Sequence, residues 1–83
     1  MKNEKNMSEL AVGECGRVCF MHTLGSMRRR FLDIGLIPGT QVLCLGRSPM
    51  GDPSAYLIRG KTVAIRARDA AGVILVRSEG RDR

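Results

Sequence analysis

The chain has 83 residues, 43% of them apolar but only 4% aromatic, and a net charge of +6. That length holds one hydrophobic core and not two, and the shortage of aromatics means the core is built from Val, Ile, Leu and Met. No apolar run approaches the roughly 18–20 residues of a membrane span, because Arg, Asp or Gly interrupts each one. The polar first six residues lack the apolar centre of a signal peptide. The expectation is a cytoplasmic protein with a flexible leader at 1–7, one domain at 8–77 and a basic tail at 78–83.

In chain order, Gly13 and Gly16 bracket a bend, and 17–22 reads as a first strand with Val18 and Phe20 on one face. Met21 is also a core candidate, which demands a bulge in that strand. Ser26 is placed to cap a helix whose apolar stripe is Met27, Phe31 and Ile34 and whose end is Gly35. Pro38-Gly39 carries the residue pair of a type II turn, and a second strand follows at 42–45. The segment Pro49-Met50-Gly51-Asp52-Pro53 is a defined loop. A hairpin is expected from 56–59 and 63–66 around Gly60-Lys61, with Val63 and Ile65 on its buried face. A brief helical connection at 68–72 leads into a closing strand at 73–76. Five short strands and one inserted helix form an all-β domain that curls into a small barrel, since closure protects the edges of so short a sheet.

Chemistry is sparse. Gly60-Lys61-Thr62 imitates the end of a phosphate-binding loop, but the required first glycine is Ala55, and the segment lies between strands instead of opening a helix. The single histidine, His22, has no carboxylate near it in sequence to orient it as a base, and the acidic residues are scattered singly. An enzyme is therefore not expected, nor a cofactor.

Cys15, Cys19 and Cys44 are an odd number and form no Cys-x-x-Cys pair, which fits reduced thiols. Cys19 and Cys44 are expected to be buried as small apolar groups, and Cys15 to be more exposed. A metal-binding alternative would gather Cys15, Cys19, His22 and Cys44 around zinc or ferrous iron, but strand alternation sends Cys19 and His22 to opposite faces unless a bulge intervenes. The positive charge suits an acidic partner. Nucleic acid is a further alternative, weakened by the lack of stacking platforms. An exposed edge strand could support a homo-oligomer, promoted by oxidation of Cys15.

The sequence resembles the FeoA proteins of bacterial ferrous iron transport. The resemblance rests on Gly16-Arg17-Val18, on Arg30-Phe31-Leu32-Asp33-Ile34-Gly35-Leu36-Ile37-Pro38-Gly39, on Ser48-Pro49-Met50-Gly51-Asp52-Pro53, and on Gly60, Ile65-Arg66 and Asp69-Ala70. Ser54 and Ala55 depart from the family pattern, and the three cysteines are not part of it. The resemblance implies an SH3-like five-stranded barrel and a protein partner, the ferrous iron transporter FeoB, whose soluble portion binds GTP; contact with the membrane is then only indirect. On this reading Pro49, Met50, Gly51, Asp52 and Pro53 form the docking loop, with Met50 entering a partner pocket, and Arg28, Arg29 and Arg30 steer an acidic face. Arg66 is expected to pair with Asp69 or Asp33 at one end of the barrel.

Overall fold

The computed structural model describes residues 4–77. Its elements are β1 (Glu4–Asn6), β2 (Cys15–Met21), α1 (Gly25–Asp33), β3 (Gln41–Arg47), β4 (Ser54–Ile58), β5 (Lys61–Ile65), α2 (Ala67–Ala70) and β6 (Val73–Arg77), with a 3₁₀ turn at Met7–Glu9. All strands belong to one antiparallel sheet in the order β1-β6-β2-β3-β4-β5. The expected five-stranded closed barrel is thus corrected to a six-stranded sheet whose pairing ends at β1 and β5. The tail expected at 78–83 lies outside the described residues.

The additional strand comes from the segment expected to be a flexible leader. Glu4, Lys5 and Asn6 pair with Val76, Leu75 and Ile74. Asn6 then caps the 3₁₀ turn: its Oδ1 accepts the Ser8 N–H at 3.0 Å, while its own N–H donates to Glu9 Oε1 at 2.9 Å. Met7 follows with 0% exposure, so burial of one large side chain holds the strand in place. Lys5 Nζ adds a 2.9 Å ion pair to Glu14. The Glu14 carboxyl is held below its usual range by the Ala11 N–H and by Lys5.

The sheet is strongly curled. β4 is four strand positions from β1, about 19 Å away if the sheet were flat, yet the buried Tyr56 hydroxyl donates to the Met7 carbonyl at 3.3 Å. Arg47 Nη2 likewise reaches the Leu10 carbonyl at 2.8 Å. Inside the curl, Met7, Leu10, Phe31, Leu36, Val42, Tyr56, Ile58, Val73 and Leu75 form one core. Burial pushes the Tyr56 phenol up from its ordinary value.

The first long strand departs from simple alternation. Its pairing with β6 shifts register between Val18 and Phe20, so the bulge that Met21 demanded is present and Met21 packs against the core. Its consequence overturns two expectations. Val18 is buried, but Phe20 is 45% exposed and Cys19 is exposed, because the extra residue turns that part of the strand outward.

Helix α1 starts at Gly25, with Leu24 in the cap position and no side-chain cap bond, so Ser26 lies inside the first turn instead of capping it. Gly35 ends the helix with φ +99°. The Gly35 and Leu36 N–H groups return to the Leu32 and Phe31 carbonyls, each at 3.0 Å, and Leu36 and Phe31 are both buried, which is a Schellman ending with its apolar contact. The turn at Pro38-Gly39 closes through Thr40 N–H to Ile37 O at 3.0 Å. The β4–β5 turn is shifted one residue from expectation: Arg59 and Gly60, with φ +50° and +84°, occupy it, as a type I′ hairpin requires.

Met7→Ala is expected to lower the unfolding free energy by about 2–5 kcal/mol, the range for emptying a large core side chain. Urea denaturation measures this directly; an unchanged midpoint would return the segment to the status of a leader.

Candidate functional site

The loop between β3 and β4 is built from its own backbone. Ser48 N–H donates to the Pro53 carbonyl at 3.1 Å and Gly51 N–H to the Ser48 carbonyl at 2.8 Å. Arg47 Nη1 holds Ser54 Oγ at 2.7 Å below the loop. Asp52 ties the far side: its Oδ1 accepts the Ala67 N–H at 2.8 Å, and its Oδ2 lies 4.0 Å from Arg66 Nη1. Arg66 therefore pairs with Asp52, not with Asp69 or Asp33. The Ala67 N–H is one of the donors left without a partner at the start of a helix, so Asp52 serves α2 from across the chain.

With its base fixed, the loop carries Met50 at 90% exposure. The side chain does not fold back onto the sheet. Pro49 and Gly51 are exposed beside it, whereas Asp52 and Pro53 are half-buried. The five loop residues thus divide into an exposed tip and a structural foot.

Arg28, Arg29 and Arg30 are all exposed, but the structure separates them. Arg30 lines a depression of about 260 Å³ together with Pro53, Arg66, Arg68 and Asp69, over a floor that includes Phe31; Arg28 and Arg29 do not. Among the described residues, no carboxylate lies within 4.0 Å of Arg30 or Arg68. Arg66 and Arg68 are the contribution that sequence reading missed. Only the return of α2 to the foot of the loop, fixed by Asp52, brings them beside Arg30.

The cysteines and the histidine are dispersed. Cys44 has 0% exposure in the core, Cys15 is half-buried opposite Leu43, and Cys19 is exposed. His22 is exposed and meets Phe20 edge to face with ring centroids 4.9 Å apart. No group of three or more His, Cys, Asp or Glu side chains able to hold a metal ion occurs among the described residues. Nor, among them, does any helix have the length and apolarity to cross a membrane.

Residues 5–77 match the family model of the FeoA domain. The chain belongs to the FeoA family. It is 30% identical over 67 residues to a Fe(2+) transport protein A/Fe(2+) transporter FeoB fusion protein of Porphyromonas gingivalis; the match takes in 81% of this chain and 8% of that much longer protein. The solution structure of a FeoA protein from Chlorobium tepidum superposes with a TM-score of 0.83 at 28% identity, over 93% of this chain and 73% of that one. The Stenotrophomonas maltophilia FeoA, crystallised with zinc and described as a prokaryotic SH3-domain protein, gives 0.75 at 23% identity over 84% and 87%. The chain therefore has an SH3-like fold, and its family is associated with ferrous iron transport.

In this FeoA-family chain Asp52→Ala is expected to cost about 0.5–2 kcal/mol of stability, as loss of a helix-start acceptor does. Thermal or urea unfolding reads this; a variant as stable as the parent would show that the loop stands without its tie to α2.

Proposed function

We propose that this protein is a small cytoplasmic accessory protein of bacterial ferrous iron uptake, which docks on the GTP-binding cytoplasmic portion of FeoB and modulates the transporter's activity or assembly. The observation that carries the reading is the fusion: a related domain is part of one polypeptide with FeoB in P. gingivalis. Covalent joining raises the effective concentration of two modules for each other, a gain that matters when the two act together. The matched region corresponds to 8% of the fused protein.

Met50 supports the loop as a contact. A flexible apolar side chain on a backbone already held by hydrogen bonds enters a partner pocket without the cost of ordering the loop. The arginines of α1 and α2, on a chain of net charge +6, favour approach to an acidic surface. Binding then acts by shifting the transporter's conformational population, which requires differential affinity for two states. Catalysis by this chain plays no part.

Calorimetric titration into the purified GTP-binding portion of the cognate transporter, with and without guanine nucleotide, tests the reading. Saturable binding is expected, weakened on the order of tenfold or more by Met50→Asp, while the thermal unfolding of that variant stays unchanged because the side chain is solvent-exposed. Absence of binding in every nucleotide state would overturn docking on that portion.

A further inference from the structure

The core-facing residues of β3 and β4 are Val42, Cys44, Tyr56 and Ile58, none more than 1% exposed. Alternation sends the residues between them to the opposite face of the sheet, which on a one-sided sheet is ordinarily polar. Here it is not. Cys15 pairs across to Leu43, and Leu43 pairs across to Leu57, so an apolar row crosses three adjacent strands on the outer face. The row forms the floor of an open groove of about 830 Å³ whose other lining is Gly13, Gly39, Thr40, Gln41, Arg59 and Gly60, a volume in the range of small-ligand sites.

Arg59 marks one rim. It holds φ +50°, in the left-handed region that Gly, Asn and Asp enter most readily, and among the described residues it is the one non-glycine residue with positive φ. Type I′ turns favour Asn or Asp at that position, so the turn itself gives no reason for arginine. Its side chain lies across Gly35 so closely that a Cβ there would come within 2.1 Å of Arg59 Cδ. Arg59 is exposed and, among the described residues, has no carboxylate within 4.0 Å. Near the groove's Gly39 wall, Arg17 Nη1 donates to the Gly39 carbonyl at 3.0 Å.

We infer that this outer groove is a second docking site, which takes a short segment of a partner protein bearing apolar side chains with a carboxylate beside them. The apolar side chains rest on Leu43 and Leu57, and the carboxylate meets Arg59. Charge complementarity selects this occupant. The six residues after Arg77, Ser-Glu-Gly-Arg-Asp-Arg, carry no large apolar side chain to seat there. A second copy would bring the same arginines and another net charge of +6 against the first, which like-charge repulsion disfavours. The groove lining has no aromatic ring on which a base could stack. The site is separate from the Met50 loop and does not rest on the transporter reading.

The test is a titration of the isotope-labelled protein, followed by amide chemical shifts, with three synthetic peptides: one carrying leucines beside glutamates, the same peptide with Gln for Glu, and one with Ser for Leu. Saturable shifts at Gly39, Leu43, Leu57 and Gly60 are expected with the acidic peptide, on the order of tenfold weaker binding with the Gln peptide, and none with the Ser peptide. Arg59→Gly should weaken the acidic peptide to the level of the Gln peptide without lowering thermal stability, since glycine suits the turn. No shifts in the groove, or equal binding of all three peptides, would overturn the inference. Shifts at those residues that follow protein concentration without peptide would overturn it in favour of self-association.

Discussion

β6 lies between β1 and β2, and this pairing is the constraint from which the rest of the structure follows. It joins residues near 5 to residues near 75 in one ladder, so the native pairing closes a loop of nearly the whole chain, at an entropic cost that grows only slowly with its length. Val73 and Leu75 on β6 are fully buried, and they anchor the sheet's inner face while β1 delivers Met7 beneath it. The curl that results brings Tyr56 from the far side to the Met7 carbonyl. A chain this short has little apolar material to spare, and the curl lets one sheet enclose its core with a single nine-residue helix laid over it.

Such an economical interior leaves function to the surface. The loop after β3 is held by its own backbone hydrogen bonds, by the Arg47–Ser54 bond at its base and by Asp52, which accepts the Ala67 N–H. In the proposed docking, these bonds spare Met50 the ordering entropy that a mobile tip would lose on binding. The same Asp52 that fixes the loop draws α2 against it, so Arg66 and Arg68 join Arg30 in one basic depression. Structural tie and charge pattern are thus one device. The outer groove, by contrast, carries Leu43 and Leu57 beside Gln41, with Arg59 at its rim.

Much of this was legible in the residues. Met27, Phe31, Ile34 and Gly35 specified the helix, Pro38-Gly39 the turn, and the Pro-Gly density of 49–53 the loop, because each depends on local φ preferences or helical spacing. β1 was not legible: Glu-Lys-Asn has neither alternation nor β propensity, and it is held by pairing with a strand some seventy residues away. Phe20 and Cys19 were misplaced because the bulge that rescued Met21 also rotates its neighbours. In the candidate site the exposed methionine could be read from its loop, but the joining of Arg30 to Arg66 and Arg68 depends on tertiary contacts. The outer groove was hidden for another reason. Runs such as Val42-Leu43-Cys44-Leu45 are apolar at every position, so periodicity cannot tell which face turns outward.

The central claim is that a rigid loop on a small curled sheet is the contact with the transporter. Hydrogen–deuterium exchange of this protein, alone and with saturating full-length cognate transporter in detergent, measures it most directly. The account predicts slowed exchange across 48–53 on binding, with the already protected amides of β6 unchanged. Identical exchange with and without the transporter would contradict it.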